Sequence, residues 1–199
     1  MPVSVIFLFS VMAVEGSNAE ITYGDELQNS WKEDAMYTKS SVGLEEAQGA
    51  IEAMLTEIRS HAEQYWQHAC LAVVDERGKL VAFAKMDGAP MVAQDIAITK
   101  AWTTVMCGRD IHDLNARIAT RDWNLQDFIP GGTAVVGGVA IVDPNEESID
   151  GEPEYTGKPH YKLSCIGGIG VAGVGPYQLD LKIAKTGLQY IQEKLWPGT

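Results

Sequence analysis

Apolar positions along this chain follow two rhythms. From Leu44 to Trp66 they recur at steps of three and four, through Leu44, Ala47, Ile51, Met54, Leu55, Ile58, Ala62 and Tyr65. That spacing lays one buried stripe along a helix, with Gly43 as its cap and Glu46 set against its positive end. Ala69 to Asp75 is a nearly unbroken apolar run, the pattern of a strand buried on both faces. Glu76-Arg77-Gly78-Lys79 reads as a turn in which Gly78 can take the positive φ of a tight hairpin, and Leu80 to Lys85 as the returning strand. The helical rhythm resumes from Met91 to Cys107, with Ile98, Ala101, Trp102 and Val105 along one side, Pro90 in its first turn and Gly108 at its end.

Asp110 caps a shorter helix through Ala119, with Asp113 in its first turn. Residues 121–129, with Trp123 and Phe128, show no clear period, and Pro130-Gly131-Gly132 breaks the chain. Thr133 to Val142 reads as a strand pair or as one strand bent at Gly137-Gly138. Tyr161 to Ala172 is a glycine-rich strand, and Pro176 to Leu195 a closing helix striped by Leu179, Ile183, Leu188, Ile191 and Leu195. Helix, strand pair, helices, strand pair, helix predicts an α+β fold: one domain with an antiparallel sheet packed with helices. Residues 143–158 carry six carboxylates against one lysine, with two glycines and two prolines, and read as a solvated loop.

Composition narrows the function classes. At 199 residues the chain has room for one domain with a sizeable core, and its net charge of −12 excludes nucleic acid and anionic membrane as partners. The apolar run Val3–Val14 is too short to span a bilayer. Ser17-Asn18-Ala19 after it has the look of a cleavage site, yet no basic residue precedes it. A strand or apolar arm packed within an oligomer is therefore favoured, and the cytoplasm over export. Residues 20–40 read as a polar extension around Trp31 and Tyr37. Cys70, Cys107 and Cys165 each sit in apolar runs and read as buried thiols, and no zinc-ligand spacing is present. His61 and His68, two helical turns apart, read as surface or packing residues.

Candidate chemistry gathers around the hairpin and the helix after it. Asp87-Gly88-Ala89 ends a strand and opens a helix, so the amides of Gly88 and Ala89 suit an anion such as a carboxylate; a plain helix cap uses the same geometry. Lys100 lies on an apolar-striped helix. Pointing inward, it would either pair with Asp87, Asp95 or Asp180, or carry a lowered pKa useful for proton transfer. Arg109 offers a planar fork to a carboxylate or satisfies the carbonyls at the helix end. Gly131 and Gly132 would bring bare amides to a ligand or form a simple turn. His112 reads as an exposed residue or as a haem ligand, and Met86, Met91 and Met106 as core filler. Gly167-Gly168-Ile169-Gly170 follows a strand but lacks the helix of a dinucleotide fingerprint.

The run Val74-Asp75-x-x-Gly78-x-Leu80-x-x-Phe83-x-x-Met86-Asp87-Gly88-Ala89-Pro90, then Ile96-Ala97-x-x-Lys100-Ala101-x-Thr103 and Gly108-Arg109, resembles the GlcG/HbpS family, which also occurs as the C-terminal domain of PduO-type proteins. The likeness continues through Pro130-Gly131-Gly132 and Ile169-Gly170-Val171-x-Gly173 to Asp180 and Ile183-Ala184. The resemblance implies a profilin-like domain over residues 42–196, preceded by an extension over 1–41 and carrying an acidic loop insertion at 143–158. It also implies a homo-oligomer and a small-molecule ligand, with haem or a related tetrapyrrole as candidate cofactor. Gly88, Ala89, Thr103, Gly131, Gly132 and His112 are the candidate ligand-binding residues. The chain departs from the family pattern in its longer acidic loop, in Ala172-Gly173-Val174 where Ser-Gly-Gly is usual, and in Leu181 where an acid is expected. Those departures keep a second reading open. It is a metal-free lyase, isomerase or cyclase acting on a small organic acid or carbonyl compound through Lys100, Asp87 and Arg109 in a pocket between subunits.

Overall fold

A computed structural model describes residues 40–121, 124–144 and 165–198. The chain divides into two compact units, Met1–Thr38 and Lys39–Thr199, and the second contains all of these residues. Most of the acidic loop at 143–158, Trp123 and the start of the strand expected from Tyr161 lie outside the described residues.

Helix α1 spans Leu44–Ser60 and buries Ala47, Ala50, Ile51, Met54 and Ile58, the stripe its periodicity predicts. It stops short of Trp66. The amides of Gln64 and Tyr65 both turn back to the His61 carbonyl, and the Trp66 amide leaves the helix to donate to Val174 O at 2.6 Å. Strand β1 (Cys70–Asp75) and strand β2 (Leu80–Lys85) form the expected hairpin, with Gly78 at φ 72° in the turn. Its register runs from Cys70 opposite Lys85 to Val73 opposite Ala82, then slips by one so that Val74 faces Leu80. Val81 forms the resulting bulge.

Helix α2 (Met91–Cys107) ends at Gly108 in the left-handed conformation, and helix α3 covers Ile111–Arg121. The segment without a clear period contains a short helix α4, Leu125–Phe128, capped by the Asn124 side chain on the Gln126 amide. At residues 133–142 neither the strand pair nor the bent strand forms: one short strand, β3 (Gly138–Ile141), begins just after Gly137 at φ 123°. Strand β4 (Gly167–Ala172) and helix α5 (Tyr177–Leu195) close the domain. The sheet order is β2-β1-β4-β3, antiparallel throughout. The α+β class and antiparallel sheet expected from the sequence are thus what the chain adopts.

Alternation along the strands builds two cores. Leu71, Val73, Val139, Ile169 and Val171 pack on one face against α1 and α5, which supply Met54, Ile58, Ile183 and Ile191. Cys70, Ala72, Val74 and Ala172 face the other way, onto Ala93, Ala97 and Ala101 of α2. On this second face the glycines of β4 have a structural purpose. A Cβ built on Gly170 would lie 2.0 Å from Ala97 O and 2.6 Å from Ala101 N, and one on Gly168 2.5 Å from Ala101 O. Helix backbone rests on sheet backbone, so these positions admit no side chain.

Candidate functional site

Strand β3 is shorter than β4, which leaves Val171 beyond its last partner. The Val171 amide is met by Gly137 O at 2.9 Å, and its carbonyl by Lys100 Nζ at 2.6 Å. The lysine arrives from α2, on one face of the sheet. At the same point its Nζ donates to Asp180 Oδ2 at 2.8 Å, and Asp180 sits in the first turn of α5, on the other face. The second carboxylate oxygen accepts from the Val174 amide at 3.0 Å. Lys100 is 1% exposed and Asp180 5%. Burial pushes the ammonium below its ordinary pKa and the carboxyl above its own, each partner's charge only partly offsetting the loss of solvent. Gly137 closes the arrangement: a Cβ there would lie 2.7 Å from Lys100 Nζ and from Asp180 Cβ. Of the three partners considered for Lys100, the fold selects Asp180, and the pair ties both helical layers together where the sheet's edge strand ends.

The convergence expected of Lys100, Asp87 and Arg109 does not occur within one chain. Asp87 precedes the first turn of α2 and Arg109 follows its last, and a helix of 17 residues separates its ends by roughly 25 Å. Lys100 lies between them with its ammonium engaged. Arg109 Nε donates to Cys107 O at 3.3 Å, the second of the two roles considered for it. His112 is exposed in the first turn of α3, at the Arg109 end.

The reason for regarding the Pro130-Gly131-Gly132 loop as a cradle of bare amides also changes. Gly131 N donates to Gln126 Oε1, Gly132 N to Ile129 O, and Thr133 N to the Thr103 hydroxyl, which itself donates to Thr99 O. Thr103 is fully buried and anchors this loop to α2. Similarly, the Ala89 amide is held in a turn by Met86 O at 3.1 Å. All three cysteines are buried, as expected, and burial raises the Cys107 thiol to about 11.

A different gathering occurs at the end of the sheet where β1 starts and β2 and β4 finish. The Met86 amide bonds Ala69 O, the Trp66 amide bonds Val174 O, and His68 Nδ1 lies 2.9 Å from the Asp87 carbonyl. From here α2 and α5 both set out, on opposite faces, behind Pro90 and Pro176 and without a side-chain cap on either first turn. Large apolar side chains are unusually open at this end: Met91 is 85% exposed, Trp66 63%, Val92 61% and Tyr177 54%. Sequence reasoning placed Asp87, Gly88 and Ala89 here but passed over Trp66, His68 and Tyr177. Among the described residues no cluster of three or more His, Cys, Asp or Glu could hold a bare metal ion, and no helix is long and apolar enough to cross a membrane.

Residues 43–151 match the family described as "Haem degrading protein HbpS-like". A double mutant of HbpS from Streptomyces reticuli is 24% identical, with a TM-score of 0.60, covering 88% of this chain and 97% of that one. A PduOC:haem complex is 20% identical, with a TM-score of 0.56, covering 75% and 94%. The Klebsiella pneumoniae protein ORFY is 19% identical, with a TM-score of 0.56, covering 80% and 96%. At these identities the likeness establishes a shared fold. No protein of curated function matches the chain.

Proposed function

The chain belongs to the family of HbpS-like haem-degrading proteins, and from that premise we propose that it binds haem or a closely related tetrapyrrole at the end of the sheet built by residues 66–69, 86–93 and 173–177. The observation that carries this reading is the exposed apolar group Trp66, Met91, Val92 and Tyr177 around two helix N-termini. A porphyrin is a flat apolar disc with two carboxylates on one edge. Aromatic and thioether side chains suit the disc, and the positive ends of the two helices suit the propionates. The solved PduOC relative was captured with haem, and the fold it shares with this chain supports the same class of ligand.

The lyase, isomerase or cyclase reading gains no support of this kind. It needs Lys100 free to exchange protons with a substrate, and Lys100 Nζ is buried between Val171 O and Asp180. Self-association accompanies the haem reading. Met106 is exposed near the end of α2 while Ala93, Ala97 and Ala101 are buried on its inner side, so that helix carries an open apolar side chain away from the haem site. A second copy of the chain is the proposed cover, with sedimentation at graded concentration as its check.

The test of the ligand is a haemin titration of the full chain followed in the Soret region. A shift that saturates at one haemin per chain is expected. An unshifted spectrum that only sums free haemin and protein would overturn the reading.

A further inference from the structure

His68 stands just ahead of β1, and its ring is pinned. Nδ1 lies 2.9 Å from the carbonyl oxygen of Asp87, at the far end of β2. A carbonyl can only accept a hydrogen bond, so Nδ1 carries the proton, and in the neutral ring the lone pair then sits on Nε2. The residue is exposed. Backbone-bound Nδ1–H with a bare Nε2 is the state in which proteins present histidine to a metal.

The neighbourhood is shaped for this ring. Gly88 holds φ 76°, and a Cβ on it would come within 2.9 Å of His68 Nδ1 and 3.2 Å of its Cε1. Only glycine both makes the turn and leaves the imidazole its place. Gly173, at φ 93°, is tight for a related reason, since its Cβ would lie 2.9 Å from the His68 carbonyl. Trp66 precedes His68 by two residues, and the exposed Met91 and Tyr177 open the helices that follow β2 and β4. One histidine cannot hold a bare cation, and the described residues offer no cluster that could. A tetrapyrrole, however, brings four nitrogens of its own and asks the protein for one or two axial ligands.

We infer that His68, through Nε2, is an axial ligand to the iron of a haem seated at this end of the sheet, with the Asp87 carbonyl as the positioning group that fixes its tautomer. The inference rests on the haem reading above and adds the residue that performs the ligation.

Three measurements on the full-length protein test it. First, ¹⁵N-edited NMR of the histidine rings without haemin should find His68 protonated at Nδ1 and bare at Nε2; protonation at Nε2 would overturn the assignment. Second, haemin added to the wild type should give the low-spin absorption and EPR signature of nitrogen ligation, whereas His68→Ala should lose it. Affinity should fall by about tenfold or more, since even an outer-shell partner is worth that much. Imidazole should restore the signature to His68→Ala. Third, His61→Ala should bind as the wild type does. If the wild type takes up haemin and His68→Ala retains the same spectrum and affinity, the ligand assignment fails while the haem reading stands. If the wild type takes up none, both fail. Because His68 is exposed, its alanine variant should keep the wild-type melting curve, which separates lost ligation from lost fold.

Discussion

In Asp180→Asn the Lys100 ammonium keeps the Val171 carbonyl but loses its counter-charge, at a site where it is 1% exposed. Leaving one charge of a buried pair uncompensated costs about 3–5 kcal/mol. For a domain of this size that lowers Tm by roughly 6–20 °C. Lys100→Met strands the other partner with the opposite pH dependence, because a buried carboxyl relieves its charge by taking up a proton where an ammonium releases one. Burial already raises the Asp180 pKa, and loss of the lysine removes the pull that opposes it. A folded-state pKa above the unfolded value means that the folded protein binds the proton first. Stability conferred by that uptake therefore grows as pH falls through the raised folded value and levels off near the ordinary carboxylate value. Relative to wild type, Lys100→Met should therefore lose progressively less stability as pH falls toward the ordinary carboxylate range, and most on the alkaline side. The double variant Lys100→Met with Asp180→Asn removes both charges and retains an acceptor for the Val174 amide. It should cost less than either single variant, giving a coupling of about 3 kcal/mol or more in a double-mutant cycle. Urea unfolding by circular dichroism at pH 5, 7 and 8 measures every term. Single costs below about 1 kcal/mol that simply add in the double would refute the account of a buried, interdependent pair.

Three further substitutions or treatments follow from the same packing. Gly137→Ala places a Cβ 2.7 Å from Lys100 Nζ at φ 123° and should cost about 1–3 kcal/mol from backbone conformation alone, read as a lower midpoint in urea. Gly170→Ala drives a methyl into the Ala97 carbonyl. Because the obstacle is backbone, α2 must lift, and the loss should reach or exceed about 3 kcal/mol, with near-ultraviolet dichroism altered. Cys107, raised to about 11, has roughly a thousandth of its thiol ionised at pH 8. The native protein should resist alkylation at all three cysteines, and mass spectrometry should find rapid labelling only in denaturant.

Much of the fold was legible because its signals are local. The α1 stripe, the Gly78 turn, the Gly108 stop and the apolar run of β1 each declare themselves within a dozen residues. Lys100 was recognisably special for the same reason, as a charge on an apolar helix. Its partner was not legible, since choosing among Asp87, Asp95 and Asp180 depends on β3 ending one residue short of Val171, a tertiary fact. The glycines of β4 were visible as a motif, but their cause, contact with the α2 backbone, comes from a partner 70 residues away in sequence. His68 left a signal that could have been followed. The hairpin pairs residues whose numbers sum to 155 from Val73 outward, and extending that register sets His68 opposite Asp87. Reading it requires placing the bulge at Val81, and without the bulge the histidine falls opposite Met86.

The two unusual features of α2 bear on each other. Its close seating on Gly138, Gly168 and Gly170 and its tether from Lys100 to β4 and α5 both act on the middle and second half of the helix. Neither feature touches the first turn, yet together they fix where that turn lies, because a helix held at its centre cannot shift its end independently. Lys100 is nine residues from Met91, a rise of roughly 13 Å. The turn so fixed is the one that Gly88 and Pro90 open beside His68. In this arrangement the buried lysine acts as part of the frame. By holding α2 still it leaves the exposed imidazole, the uncapped amides and the open apolar side chains at the sheet's end as fixed points that a flat, rigid ligand can meet without ordering a loop.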